Sequence, residues 1–162
     1  MIFQRVNRTS PEKIFLVAYN SYSTASLTNG QAVMWDYATD ADGVGVTMPG
    51  PTAVGGGVAF AGIVSETIAA GAYGLIQVYG YHSAIRARAS STSGSGATKA
   101  VAKGTPLRMS QGITTASLAA TAFCLEACST ASTTIQIRPG ALAFAAVAVW
   151  TTAAIAGFVK AL

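Results

Sequence analysis

The segment Val58-Ala-Phe-Ala-Gly-Ile-Val-Ser-Glu-Thr-Ile-Ala-Ala-Gly-Ala-Tyr-Gly-Leu-Ile-Gln-Val-Tyr-Gly80 constrains the fold more than any other part of the chain. Apolar runs rich in β-branched and aromatic residues flank a small-residue turn around Ala69-Ala70-Gly71, the pattern of two strands joined by a turn. A weaker echo runs from Ala119 to Gly140. There an apolar stretch again passes through small residues into an Ile-Gln-Ile strand, Ile135 to Ile137, and stops at glycine. Helix signals are weak throughout, with residues 114–122 as the one short candidate, and Thr and Ser there favour strand or loop.

The expected fold is therefore all-β: a small β-barrel or β-sandwich with an extended N-terminal arm and at most one short helix. At 162 residues the chain is long enough for one domain with a full core and too short for two comfortable ones. Residues 1–13, polar with two arginines and a proline, read as the arm. Residues 14–162 read as a single β domain carrying the two hairpin-like units near 58–80 and 119–140.

Further strands follow from local pattern. Asn29-Gly30 is a hairpin-type turn pair, and after it Gln31 to Tyr37 alternates so that Val33, Trp35 and Tyr37 share a strongly apolar face. Asp40 to Gly43 supplies a turn before Val44 to Met48, and Lys103-Gly104 a turn before a strand at Leu107. Tyr81 to Arg88 extends the first unit, with Tyr81, Ser83 and Ile85 on one face. Ile14 to Tyr19 is an apolar run that fits either a buried strand or a contact segment. Ser90 to Gly96 is a low-complexity loop. Gly140 to Leu162 has the length of a membrane span, but Ala and Thr dominate it and Trp150-Thr-Thr interrupts it. Two buried strands, Ala141 to Trp150 and Ala154 to Leu162, fit it better.

Charged residues make up 10% of the chain, against roughly 25% in average globular proteins. Few charges mean little repulsion between copies and a low desolvation cost on contact, so composition points to an assembly component. The net charge of +4 is spread along the chain without a dense basic stripe, and nucleic acid binding is not expected. Cys124 and Cys128 on a regular strand stand about 13 Å apart, too far for a disulfide, and read as buried thiols in a reducing compartment. The N-terminal run contains no apolar core of signal-peptide length.

Candidate chemistry is sparse. Asp36, Asp40 and Asp42 do not match a calcium loop, and they read as a solvated turn. Glu66 and Glu126 occupy similar places in the two units without a substrate groove around them. His82, the one histidine, has no sequence-near nucleophile. Val54-Gly-Gly-Gly-Val58 lacks the Lys-Ser/Thr of a phosphate loop. No catalytic set, no metal site and no cofactor is expected. Trp35 with Tyr37, and Tyr79 with Tyr81, form two aromatic pairs that serve either as core or as a stacking platform for a sugar or other small ligand.

Three stretches resemble a known family: Gly30 to Asp36, Asp42 to Pro49 and Phe60 to Gly80. So do the Gly104-Thr-Pro-Leu107 turn and the closing Ile155-Ala-Gly-Phe-Val159 strand. Together they are similar to the small β-rich head decoration, or cement, proteins of tailed bacteriophages, over about residues 28 to 162. The resemblance implies a virion protein on the capsid exterior, made in the host cytoplasm. It implies a homotrimer that bridges major capsid protein subunits, without nucleic acid or membrane contact. It also implies that the arm meets the shell, which makes Ile2, Phe3, Arg5 and Arg8 candidate contact residues. The alternatives are another virion component (a minor head, tail or fibre-base protein, or a capsid subunit) and a soluble carbohydrate- or small-ligand-binding β module.

Overall fold

The structure, a computed structural model, describes residues 12–37, 39–40, 43–47, 60–88, 90–91, 98–99, 101–109, 125–127, 141–143 and 152–161. Among them there are strands, bridges and turns and no helix, so the chain is all-β. The strands are β1 (Lys13–Asn20), β2 (Ala32–Trp35), β3 (Gly45–Thr47), β4 (Phe60–Val64), β5 (Tyr73–Arg88), β6 (Ser90–Ser91), β7 (Thr98–Lys99), β8 (Pro106–Met109), β9 (Leu125–Ala127), β10 (Ala141–Ala143) and β11 (Thr152–Lys160). Among the described residues β6 and β7 pair with each other, and the other nine strands form one sheet.

The sixteen-residue β5 organises that sheet. One of its edges pairs with β4 at Gln77 and Ile76, then with β11 from Tyr79 to Arg88. The opposite edge pairs with β1 from Tyr73 to Gly80, then with β9 at Ala87 and Arg88. The first half closes a circuit of pairing through β1, β3, β2 and β4. The second half closes another through β11, β10, β8 and β9.

A strand serving two circuits must bend, and the bend lies at Gly80. Its φ is +102°, and a Cβ there would fall 2.0 Å from the carbonyl oxygen of Glu12. The β1 register slips beside it, Ile14 facing Tyr79 and Phe15 facing Gln77, so Val78 is the extra residue of a bulge. The buried Gln77 side chain donates to the carbonyls of both Tyr79 and Tyr81 at 3.1 Å, bracing the strand on either side of Gly80. Gly30, with φ +85°, makes the second close approach. Its carbonyl accepts from Arg86 N–H at 2.8 Å, and a Cβ on it would meet the Ala84 carbonyl oxygen at 1.9 Å.

Two apolar clusters result. One gathers Ala18, Leu27, Val33, Val46, Ala61, Val64, Ile68, Ile76 and Val78. The other gathers Ala32, Met34, Phe60, Ile63, Ile85, Ala87 and residues of β8 to β11. β2 and β4 form the wall between them: Val33 faces the first cluster while Ala32 and Met34 face the second. This corrects the expectation of a single apolar face on Gln31 to Tyr37. Both faces are used, and β2 ends at Trp35 because Asp36 begins a turn.

The expected face of Tyr81, Ser83 and Ile85 is also broken. Ile85 is buried while Ser83 is exposed. Between Ile155↔Ile85 and Gly157↔His82, β5 carries one residue more than β11, which resets the alternation. The C-terminal segment supplies β10 and β11, paired antiparallel from Ala141↔Val159. No helix among the described residues is long and apolar enough to cross a membrane. Residues 114–122, both cysteines and most of the 119–140 echo lie outside the described residues.

Candidate functional site

β1 carries the most unusual surface in the fold. Its register partners across β5 place Phe15, Val17 and Tyr19 on one face with Gln77, Leu75 and Tyr73. Ala18 and Asn20, on the other face, are fully buried. Residues 13 to 17 are nonetheless exposed on both faces, Val17 to 63%. The four consecutive apolar side chains Ile14 to Val17 therefore stand in solvent with Tyr73, exposed to 66%, and Leu75 beside them. Phe15, Val17, Leu75 and Tyr73 share one face and at roughly 100 Å² each present on the order of 400 Å² of mainly apolar surface, within the range for a monomer's largest patch, about 300–600 Å², while Ile14 and Leu16 are exposed on the opposite face.

Among the described residues, β1 has a partner on the side away from β5 at its C-terminal end. Asn20 N–H donates toward β5, to Ala72, whereas Tyr19 N–H donates to Val44 and Ser21 N–H to Val46 on the β3 side. Backbone groups alternate in direction along a strand, so those of Phe15 and Val17 point as Tyr19 does, away from β5. β3 reaches β1 at Tyr19 and Asn20 alone. Among the described residues nothing accepts from or donates to the outward N–H and C=O of Phe15 and Val17.

At the far end of β1 the rings of Tyr19 and Tyr73 meet with centroids 5.2 Å apart and planes tilted by 54°. They form one side of an open groove of about 460 Å³, which Ser21, Thr39, Asp40 and Val44 complete. Ser21 Oγ donates to Asp36 Oδ2 at 2.7 Å, the Thr39 hydroxyl donates to the same oxygen, and Gly45 N–H donates to Asp40 Oδ2. These carboxylates fasten the turn after β2 to β1 and β3. Asp42 lies outside the described residues.

The expected aromatic residues are placed apart. Trp35 on β2 is half-buried against the first cluster, and Tyr37 lies in the following turn, exposed. Tyr79 is half-buried, its ring edge-on to Phe158 at 5.0 Å, and Tyr81 carries Lys13 Nζ 6.0 Å from its ring. β2 and β5 are separated by β4 in the sheet, so the two pairs belong to different places. Ile2, Phe3, Arg5 and Arg8 lie outside the described residues. Tyr19, Tyr73 and Leu75 had no distinguishing signal in sequence; Ile14 to Val17 did, since four apolar residues without alternation assign no face to solvent.

His82 is buried, and its Nδ1 accepts from Ala84 N–H at 3.1 Å. Burial, reinforced by the Lys13 charge, pushes its pKa below 6.5, against an opposing hydrogen bond to the Val64 backbone. Burial and the Lys13 charge both favour the neutral imidazole. Glu66 Oε1 accepts from Leu75 N–H at 2.9 Å and closes the β4 to β5 turn. No group of three or more metal-ligating side chains occurs among the described residues. Comparison with protein-family models, with curated proteins and with solved structures found no match.

Proposed function

We propose that this chain is a structural protein of a tailed-phage virion that decorates and stabilises the capsid shell by bridging major capsid protein subunits. The observation that carries the reading is the apolar β1 and β5 surface, Ile14 to Val17 with Tyr73 and Leu75, standing in solvent on a chain with few charges. A monomer's largest apolar patch is often functional, and on a chain with few charges it suits contact with another protein. The resemblance of the turn and strand motifs to those of head decoration proteins suggests the setting, the capsid exterior.

The mechanism is passive. Internal pressure from packed DNA separates shell subunits, and a protein seated across several of them adds interface that must be broken first. An interface of about 1,600 Å² gives tens of kcal/mol gross and far less after ordering costs, so many modest contacts act together. The test is re-addition: particles stripped of the chain should regain heat resistance on incubation with purified wild-type protein. Tyr73→Lys should bind them at least tenfold more weakly. Equal rebinding by Tyr73→Lys together with a double variant, Val17→Lys and Leu75→Lys, would overturn the assignment of this surface.

The Tyr19 and Tyr73 groove supports a second reading, a small-ligand or carbohydrate-binding module, because ring faces beside a carboxylate suit a polyhydroxylated ligand. Glycan-array binding abolished by Tyr73→Ala would favour it, and absence from purified particles would accompany it.

A further inference from the structure

We infer that Asn29 is a modification site gated by the fold. The folded chain protects it from succinimide chemistry, and a chain that opens there converts it to isoaspartate, which keeps the turn from closing again. The sequence holds three asparagines, and Asn29 is the one followed by glycine. Glycine leaves the next backbone nitrogen without a shielding side chain, so an Asn-Gly pair in an open chain is the most reactive of its kind.

The nucleophile is the Gly30 nitrogen. It loses its proton to hydroxide or a buffer base and attacks Asn29 Cγ. The new N–Cγ bond forms as the Cγ–Nδ2 bond breaks, and the side-chain amide leaves as ammonia. Water then opens the cyclic imide at one of its two carbonyls, giving aspartate or isoaspartate, and the second product routes the main chain through Cβ.

In the fold that nitrogen is committed. Gly30 is buried, its N–H donates to the carbonyl of fully buried Val64 at 2.9 Å, and Val64 N–H donates to the Gln31 carbonyl at 2.9 Å. On the other side the Gly30 carbonyl accepts from Arg86 N–H at 2.8 Å, and the Ala84 carbonyl oxygen fills the place a Cβ would take. Gln31 N–H closes the turn by donating to the Thr28 carbonyl at 3.2 Å, Gln31 Oε1 accepts from Thr28 N–H, and Arg86 Nη2 donates to Thr28 Oγ1 at 3.0 Å. Attack requires the Gly30 nitrogen to surrender its bond, lose its proton away from solvent base and swing toward the Asn29 side chain. Each of these steps pulls Gly30 from β4 or β5. The exposed Asn29 side chain thus stands beside a nucleophile that only local opening releases.

The product does not fit back. Isoaspartate adds a main-chain carbon to a turn whose third residue is held at φ +85° between two strands. Gly30 then cannot keep its bonds to Val64 and Arg86 while the turn closes between Thr28 and Gln31. The modified chain stays open more often, and the change is irreversible. A chain that folds promptly keeps Asn29, and one that lingers open is marked. This gating does not depend on the place of the chain in a virion.

Site-resolved peptide mapping by mass spectrometry tests it on the full-length purified chain, with native and urea-denatured samples held at the same mildly alkaline pH. Conversion at Asn29 should be at least about tenfold slower in the native sample. After return to native buffer, chains with isoaspartate in place of Asn29 should be cleaved by protease about fivefold or more faster than chains retaining it. Asn29→Ala, carried through the same incubation, should regain the protease resistance of the untreated wild type. Equal conversion in native and denatured samples, or equal resistance of isoaspartate and asparagine chains, overturns the inference. Loss of resistance by Asn29→Ala would place the damage elsewhere and overturn it as well.

Discussion

At the scale of single residues, Gly80 and Gln77 carry the bend that lets one strand serve two circuits. Gly80→Ala places a methyl 2.0 Å from the Glu12 carbonyl oxygen at a φ of +102°, and should cost several kcal/mol in chemical denaturation. Gln77→Leu deprives the Tyr79 and Tyr81 carbonyls of their donor, and should cost about 2–4 kcal/mol in the same measurement. His82 sets a pH dependence. Its folded pKa lies below 6.5, so the unfolded chain binds more protons between that lowered value and 6.5. The stability linked to it is fully present above pH 6.5 and is lost as pH falls through the lowered folded value. His82→Gln should flatten that part of the stability profile, measured by denaturation at a series of pH values. None of these three roles is visible in sequence: nothing in the Ile-Gln-Val pattern marks Gln77 as the buried donor it becomes where Gly80 bends the chain around it.

At the scale of elements, β4 and the first half of β5 were legible because apolar runs bracket a small-residue turn, and β8 because Lys103-Gly104 punctuates it. The two faces of β2 were not. Ala32, Val33, Met34 and Trp35 offer no polar position to mark a solvent side, and only the placement of a second cluster decides what the other face meets. The face assigned to Tyr81, Ser83 and Ile85 failed for a related reason, since a bulge carries no residue signature and reverses every side chain beyond it. The candidate surface was half-legible: the apolar run at Ile14 was apparent, but its exposure and its Tyr73 and Leu75 partners arise from long-range pairing. The contrast between surface and core is measurable. Val17→Ser should change stability by about 0.5 kcal/mol or less under conditions where the chain is monomeric, whereas Ile63→Ala, fully buried between β2 and β5, should cost roughly 2–5 kcal/mol.

At the scale of the whole molecule, a low-charge chain folds into two joined circuits, and among the described residues the apolar first half of β1 is exposed on both faces. Under the proposed function, that surface is where the chain meets the shell subunits. The central claim is a repeated place in the virion, and copy number tests it most directly. Purified particles, dissociated and quantified by mass spectrometry, should contain this chain at a number comparable to the major capsid protein. A few copies per particle, or none, would contradict the account.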